Sequence, residues 1–154
     1  KKIKIIKDAD KYFVGVPNMN SILNQHVSLF IIRIYSGLFM LLYHGLSKLQ
    51  NYSVYSNNFY DPFGFGSAFS LALVIFAEVF CAILIVFGIA VRTAVIPLII
   101  TMLVAVFIIH GDDPMDIKEL AISYLFCYLA LFFGGGGNIS VNIRKWLPKH
   151  WLFD

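Results

Sequence analysis

The chain has 154 residues, of which 59% are hydrophobic and only 14% charged. That is too apolar for a soluble domain of this size, and a soluble helical bundle would need a polar outer face that no apolar segment here supplies. The net charge of +3 sits on the flanks of apolar segments, so it reads as a topology signal and not as a nucleic-acid footprint.

The N-terminal stretch, residues 1–26, mixes Lys1, Lys2, Lys4, Lys7 and Lys11 with Ile3, Ile5, Ile6 and Phe13. It reads as a basic tail at the inner membrane surface, broken by Pro17. The first span is predicted at about 27–49. It is longer than a signal-peptide apolar region and has no small-x-small cleavage site after it. It carries Arg33, His44 and Lys48, which lie within roughly 60° of one another at ~100° per residue. A charge in hydrocarbon costs at least ~2.5 kcal/mol at mid-depth, so this basic stripe must face other helices or water.

The loop Gln50–Gly66 interleaves Tyr52, Tyr55, Phe59, Tyr60, Phe63 and Phe65 with Asn and Ser. It reads either as an aromatic belt at the interface or as a cover over the mouth of a bundle. Asp61-Pro62, with Gly64 and Gly66, marks a turn before the second span, predicted at about 68–90. Glu78 near the middle of that span is a functional-site hypothesis by default and calls for a cationic partner. Arg33, His44 and Lys48 are its candidates, with Arg33 able to reach it across Gly37. A very short turn at Arg92-Thr93 makes the second and third spans a tight hairpin.

The third span is predicted at about 93–110, with Pro97 in its opening turns, where a missing N–H is tolerated. It ends at His110, followed by the acidic loop GDDPMDIKE. His110 is either an interfacial residue or part of a site. Asp113-Pro114 reads as an N-cap with Pro at the first helical position. Asp116-x-x-Glu119 reads alternatively as a capping box, which leaves Glu119 as cap or site. The fourth span, about 117–133, holds Tyr124 and stops at four consecutive glycines, Gly134–Gly137. The segment 134–154 is a Gly-rich stop and an interfacial tail with Trp146 and Trp151 beside Arg144, Lys145 and Lys149.

Each span is near the ~20 residues that cross ~30 Å of hydrocarbon. The predicted fold is all-α, an integral membrane four-helix bundle. Lys and Arg fall on the side of both tails and Arg92. The positive-inside rule therefore makes the N- and C-termini cytoplasmic. Cys81 and Cys127 form no C-x-x-C and read as packing residues. His44 and Lys48 in the outer third of the first span, His110, Glu119, Tyr124 and the deeper Glu78 then converge on one outer pocket. Two imidazoles, an ammonium and one or two carboxylates suit proton relay, hydrogen bonding to a quinone carbonyl, or anion capture. His44 with His110 and a carboxylate could supply metal ligands, but no close-spaced ligand motif is present and no metal site is expected.

Several elements occur in a telling order: R-x3-G (Arg33, Gly37), H-G-x-x-K (His44, Gly45, Lys48) and DPFGFGSAFSLALVIFAEVF leading to Glu78. Then come G-x3-R (Gly88, Arg92), M-x-x-A (Met102, Ala105), His110, K-E-L-A-x-x-Y (Lys118 to Tyr124) and G-x-G-x-x-S ending at Ser140. In this order, from about Leu29 to Asn142, the chain resembles the DoxX family of small four-helix membrane proteins. The resemblance implies a multi-pass protein of the bacterial inner membrane, similar to the DoxD-type subunit of a thiosulfate:quinone oxidoreductase. It implies a redox-associated subunit with no covalent cofactor, whose carrier is a bound quinone or a partner redox protein. On that reading His44, Glu78 and His110 are the catalytic candidates, and Arg33, Lys48, Glu119 and Tyr124 bind the ligand. A non-catalytic scaffold or lipid-binding subunit is the rival, and a small transporter or proton relay the third reading. Four short spans bury little surface, so a homodimer is a further expectation.

Overall fold

The structure is a computed structural model that describes residues 19–140, with side chains from Leu23 to Ser140. The basic tail and the Trp-bearing C-terminal tail lie outside the described residues, as does most of the charge that sets the predicted orientation. The protein is all-α, and the described residues contain no strand. Helix α1 begins at Met19 and its apolar span is Leu23–Gln50. A single turn, α2, covers Tyr52–Tyr55. The remaining spans are α3 (Ser67–Phe87), α4 (Val91–Ile109) and α5 (Met115–Gly134).

All four long helices are apolar and long enough to cross a membrane. They close into a ring, with α1 against α3 and α5, and α4 against α3 and α5. The core is made mostly of small and medium side chains, among them Met40, Ala77, Ala82, Ile85, Leu98 and Leu131, with Tyr124 and Tyr128 of α5 buried beside them. Large apolar groups point outward, with Phe107 69% and Phe133 76% exposed. Such a surface is stable in lipid, where exposed apolar area carries no cost, and would associate in water.

Three of the four long helices contain a π-helical segment: Met40–Gly45 in α1, Phe76–Cys81 in α3 and Ala105–Ile109 in α4. Each widens the turn, and such segments recur at functional sites. The α1 and α3 segments face each other. Gly45 makes this approach possible, because a Cβ there would lie 2.5 Å from the Glu78 carbonyl oxygen.

Several local readings need correction. Residues from Met19 to His26 belong to α1 and not to a tail. Helix α4 starts at Val91, so Pro97 sits inside it and not in its opening turn. It denies a donor to the Thr93 carbonyl one turn back. The N-cap of α5 is Pro114, with no side-chain cap. Asp113 does not cap, because its carboxylate is engaged by His110.

The end of α3 closes with Gly88 in the left-handed region at φ 77°. There Gly88 N–H donates to Ile85 O (3.0 Å) and Ile89 N–H to Leu84 O (2.8 Å). This is the Schellman pattern, which glycine permits without a Cβ penalty.

Candidate functional site

The elements place two polar clusters at opposite ends of the bundle. The first surrounds Arg33, which is 1% exposed. After α5 stops at Gly134, the segment 135–140 folds back over the ends of α1 and α3. Arg33 Nη1 donates to the carbonyls of Gly136 and Ile139, the latter at 2.8 Å. Nη2 reaches Val86 O at 3.4 Å. The guanidinium also lies over the Phe30 ring, 5.6 Å from its centroid. The expected approach of Arg33 to Glu78 does not occur. Carbonyls freed by the glycine stop take the guanidinium instead. Arg92 acts similarly at the surface, donating to Phe133 O at the last turn of α5 (3.2 Å).

The second cluster surrounds a cavity of about 620 Å³ between α1, α3, α4 and α5. The Glu78 carboxylate, from the α3 π segment, forms the deep polar point of its wall. Lys48 from the end of α1 reaches it, Nζ to Oε2 at 2.6 Å. The Glu78 side chain is 5% exposed and that of Lys48 23%. Burying the pair is tolerable only because each charge answers the other, and loss of either leaves an uncompensated charge in a low dielectric.

His44 comes from the α1 π segment and packs edge-on against Tyr124 of α5, at 5.8 Å between centroids. Behind Tyr124 stand Tyr128 at 6.0 Å and Tyr35 at 6.4 Å, both stacked on it. Tyr128 donates to the Ser36 carbonyl at 3.3 Å. His110, at the end of α4, also lines the cavity. Its Nδ1 is 2.7 Å from Asp113 Oδ2, which leaves Nε2 free. Met102, Thr101 and Pro97 complete the α4 wall.

The loop before α3 lies over the same space, with Phe59, Tyr60, Pro62 and Phe63 in the lining. Asp61 holds it. The carboxylate accepts from Ser70 Oγ (2.7 Å), Gly66 N–H (2.6 Å) and Phe65 N–H (3.1 Å). These bonds hold the Asp61 carboxyl below its ordinary range, the Ser70 hydroxyl contributing most.

Five of the seven candidate residues thus line one cavity: His44, Lys48, Glu78, His110 and Tyr124. Arg33 is at the other end, and Glu119 is an exposed residue of α5 outside the lining. Sequence reasoning missed Asp113, Thr101 and the contact role of Gly45. The glycine directly after His44 was the available signal, since a small residue beside polar groups marks a close helix approach. Among the described residues no group of three or more His, Cys, Asp or Glu side chains could hold a metal ion.

The three π segments, the Gly45 contact and the Lys48–Glu78 pair all rest on motifs within residues 28–111. The DoxX family model matches over those residues, just over half of the chain. The chain belongs to the DoxX family. The matched region takes in most of α1, α2, α3 and α4 through Gly111, so the DoxX match contains His44, Lys48, Glu78 and His110. Tyr124 and the 135–140 segment lie beyond it, although the motif resemblance extends to Asn142. No curated protein and no solved structure matches the chain.

Proposed function

We propose that the cavity beside Lys48 and Glu78 binds a quinone and that this DoxX protein is a redox-associated membrane subunit. The observation that carries the reading is the cavity itself: about 620 Å³ with largely apolar walls and a buried Lys48–Glu78 pair as its deep polar point. Ligand pockets of ~300–1,000 Å³ typically combine apolar walls with a few placed polar groups. A bound quinone supplies two carbonyl oxygens and two-electron chemistry. The chain supplies donors and proton sites. Lys48 has two donors left beyond the one on Glu78, and Tyr124 and His110 border the same space. His44, Glu78 and His110 are the groups that hold or exchange protons, and Asp113 fixes the His110 tautomer. Arg33 and Glu119 have no part in this site.

The wider setting in this reading is the bacterial inner membrane, with cytoplasmic termini and the cavity toward the outer side. A partner redox protein exchanges electrons with the bound carrier, and a homodimer enlarges the buried surface of a small bundle. Quinone-binding difference spectra of the wild type and of Glu78→Ala test the core of it. Saturable binding by the wild type, lost in the variant, is expected. Equal and negligible binding by both overturns it.

The rival scaffold reading is favoured by one observation, the fit of Gly45 against the Glu78 carbonyl. In that reading the Lys48–Glu78 pair fixes helix register and does no chemistry. Glu78→Gln then lowers thermal stability, and changes in the 50–66 loop abolish co-purification of a partner.

A further inference from the structure

His44, Lys48 and Phe59 line two cavities. One is the large cavity with Glu78. The other is smaller, about 220 Å³, and is lined by Tyr43, His44, Ser47, Lys48, Tyr55 and Phe59. It lies at the junction of α1 and α2. The α1 span of 28 residues measures ~42 Å against ~30 Å of hydrocarbon, so its last turns reach headgroup level. We propose that this smaller cavity is a phospholipid headgroup site, selective for a net-neutral, zwitterionic head. The proposal rests on Tyr43, Ser47 and Tyr55, which line the smaller cavity and not the larger one.

Three observations carry it. First, the lining residues are donor-bearing and include no carboxylate: Lys48, Ser47, Tyr43, Tyr55 and His44, beside Phe59. Such a set recognises phosphate or ester oxygens. Secondly, the Lys48 charge is already matched by Glu78 at 2.6 Å. A headgroup with a net negative charge leaves the cluster with an uncompensated charge, whereas a zwitterion brings its own cation. Thirdly, Tyr43 belongs both to the cavity and to an outward aromatic ladder on α1. Tyr43 and Phe39 stack at 5.5 Å, and Phe39 and Tyr35 lie at 5.2 Å. These rings are 68%, 44% and 45% exposed. The cavity is below the ~300 Å³ of the smallest drug-sized pockets, so it takes a headgroup and leaves the acyl chain on the ladder outside.

Native mass spectrometry of the purified full chain tests this. The protein is incubated with equal amounts of phosphatidylethanolamine and phosphatidylglycerol of identical chains, and separately with glycerophosphoethanolamine, the headgroup without chains. Retention of one phosphatidylethanolamine per chain is expected, with little phosphatidylglycerol and no free headgroup. Tyr43→Leu/Ser47→Ala removes two donors and lowers retention about tenfold. Ser47→Ala alone, at an exposed helix position, gives a smaller loss in the same direction and serves if the double variant fails to fold. Undiminished retention in Ser47→Ala, preference for phosphatidylglycerol, capture of the free headgroup or displacement of the lipid by a quinone overturns the proposal. Quinone spectra of the same Ser47→Ala protein report on the larger cavity separately, so the two readings can fail independently.

Discussion

Replacing Lys48 by Met removes the cation from a pair in which Glu78 is almost fully buried. At an effective dielectric of about 20, two unit charges 2.6 Å apart attract by roughly 6 kcal/mol, and desolvation offsets much of that. The net worth of the pair is therefore small, but the cost of breaking it is not. Stranding one buried charge costs about 3–5 kcal/mol. Lys48→Met is thus expected to lower the unfolding temperature of the detergent-solubilised protein by on the order of 10 °C. Glu78→Leu alone strands Lys48 less severely, because its side chain is 23% exposed and long enough to turn toward the headgroups. The double variant Lys48→Met/Glu78→Leu recovers most of the loss, since neither charge is then left without a partner. The assay is a double-mutant cycle on unfolding in mild detergent, read by circular dichroism. A double variant whose loss equals the sum of the two single losses, so that the coupling is zero, refutes the claim that this pair joins α1 to α3.

Gly45→Ala places a Cβ 2.5 Å from the Glu78 carbonyl and is expected to cost about 1–3 kcal/mol by overpacking, measured in the same unfolding assay. Gly88→Ala meets the Arg33 guanidinium at 2.7 Å and holds a non-glycine residue at φ 77°. It is expected to loosen residues 135–140, read as faster amide exchange there. Asp61 anchors its loop as a carboxylate with a folded pKa below the unfolded one. Its contribution is complete above the ordinary carboxylate range and is lost as pH falls through the depressed folded value. Amide exchange of residues 59–66 should rise on acidification in the wild type, and Asp61→Asn should remove that dependence. A loop equally protected at acid and neutral pH counts against the anchor.

The class of the protein was legible because lipid imposes long apolar runs, and four of them stand in the chain. The polar positions inside those runs were legible for the same reason: His44, Lys48 and Glu78 are costly there and so must converge. What did not show was pairing. Arg33 and Lys48 share one stripe at 100° per residue, yet the α1 π segment lies between them and breaks that periodicity. Which cation meets Glu78 was decided by Gly45, whose lack of a Cβ lets the end of α1 lie on the α3 π segment. Arg33 went elsewhere because four glycines release carbonyls that wrap onto it, a tertiary event with no local signature. Asp113 looked like a cap because Asp before Pro usually is one. Its carboxylate serves His110 three residues earlier instead, a competition that spacing alone does not resolve.

In the proposed function a quinone headgroup occupies the larger cavity beside Lys48 and Glu78. A photoreactive quinone analogue, activated on the purified protein in lipid and mapped by peptide mass spectrometry, tests it most directly. Adducts are expected on cavity residues such as Met102, Ala77 and Tyr124, competed away by unlabelled quinone and suppressed by Thr101→Phe, which fills the α4 wall. Adducts confined to outward residues such as Phe107 and Phe126, and unaffected by Thr101→Phe, would contradict it.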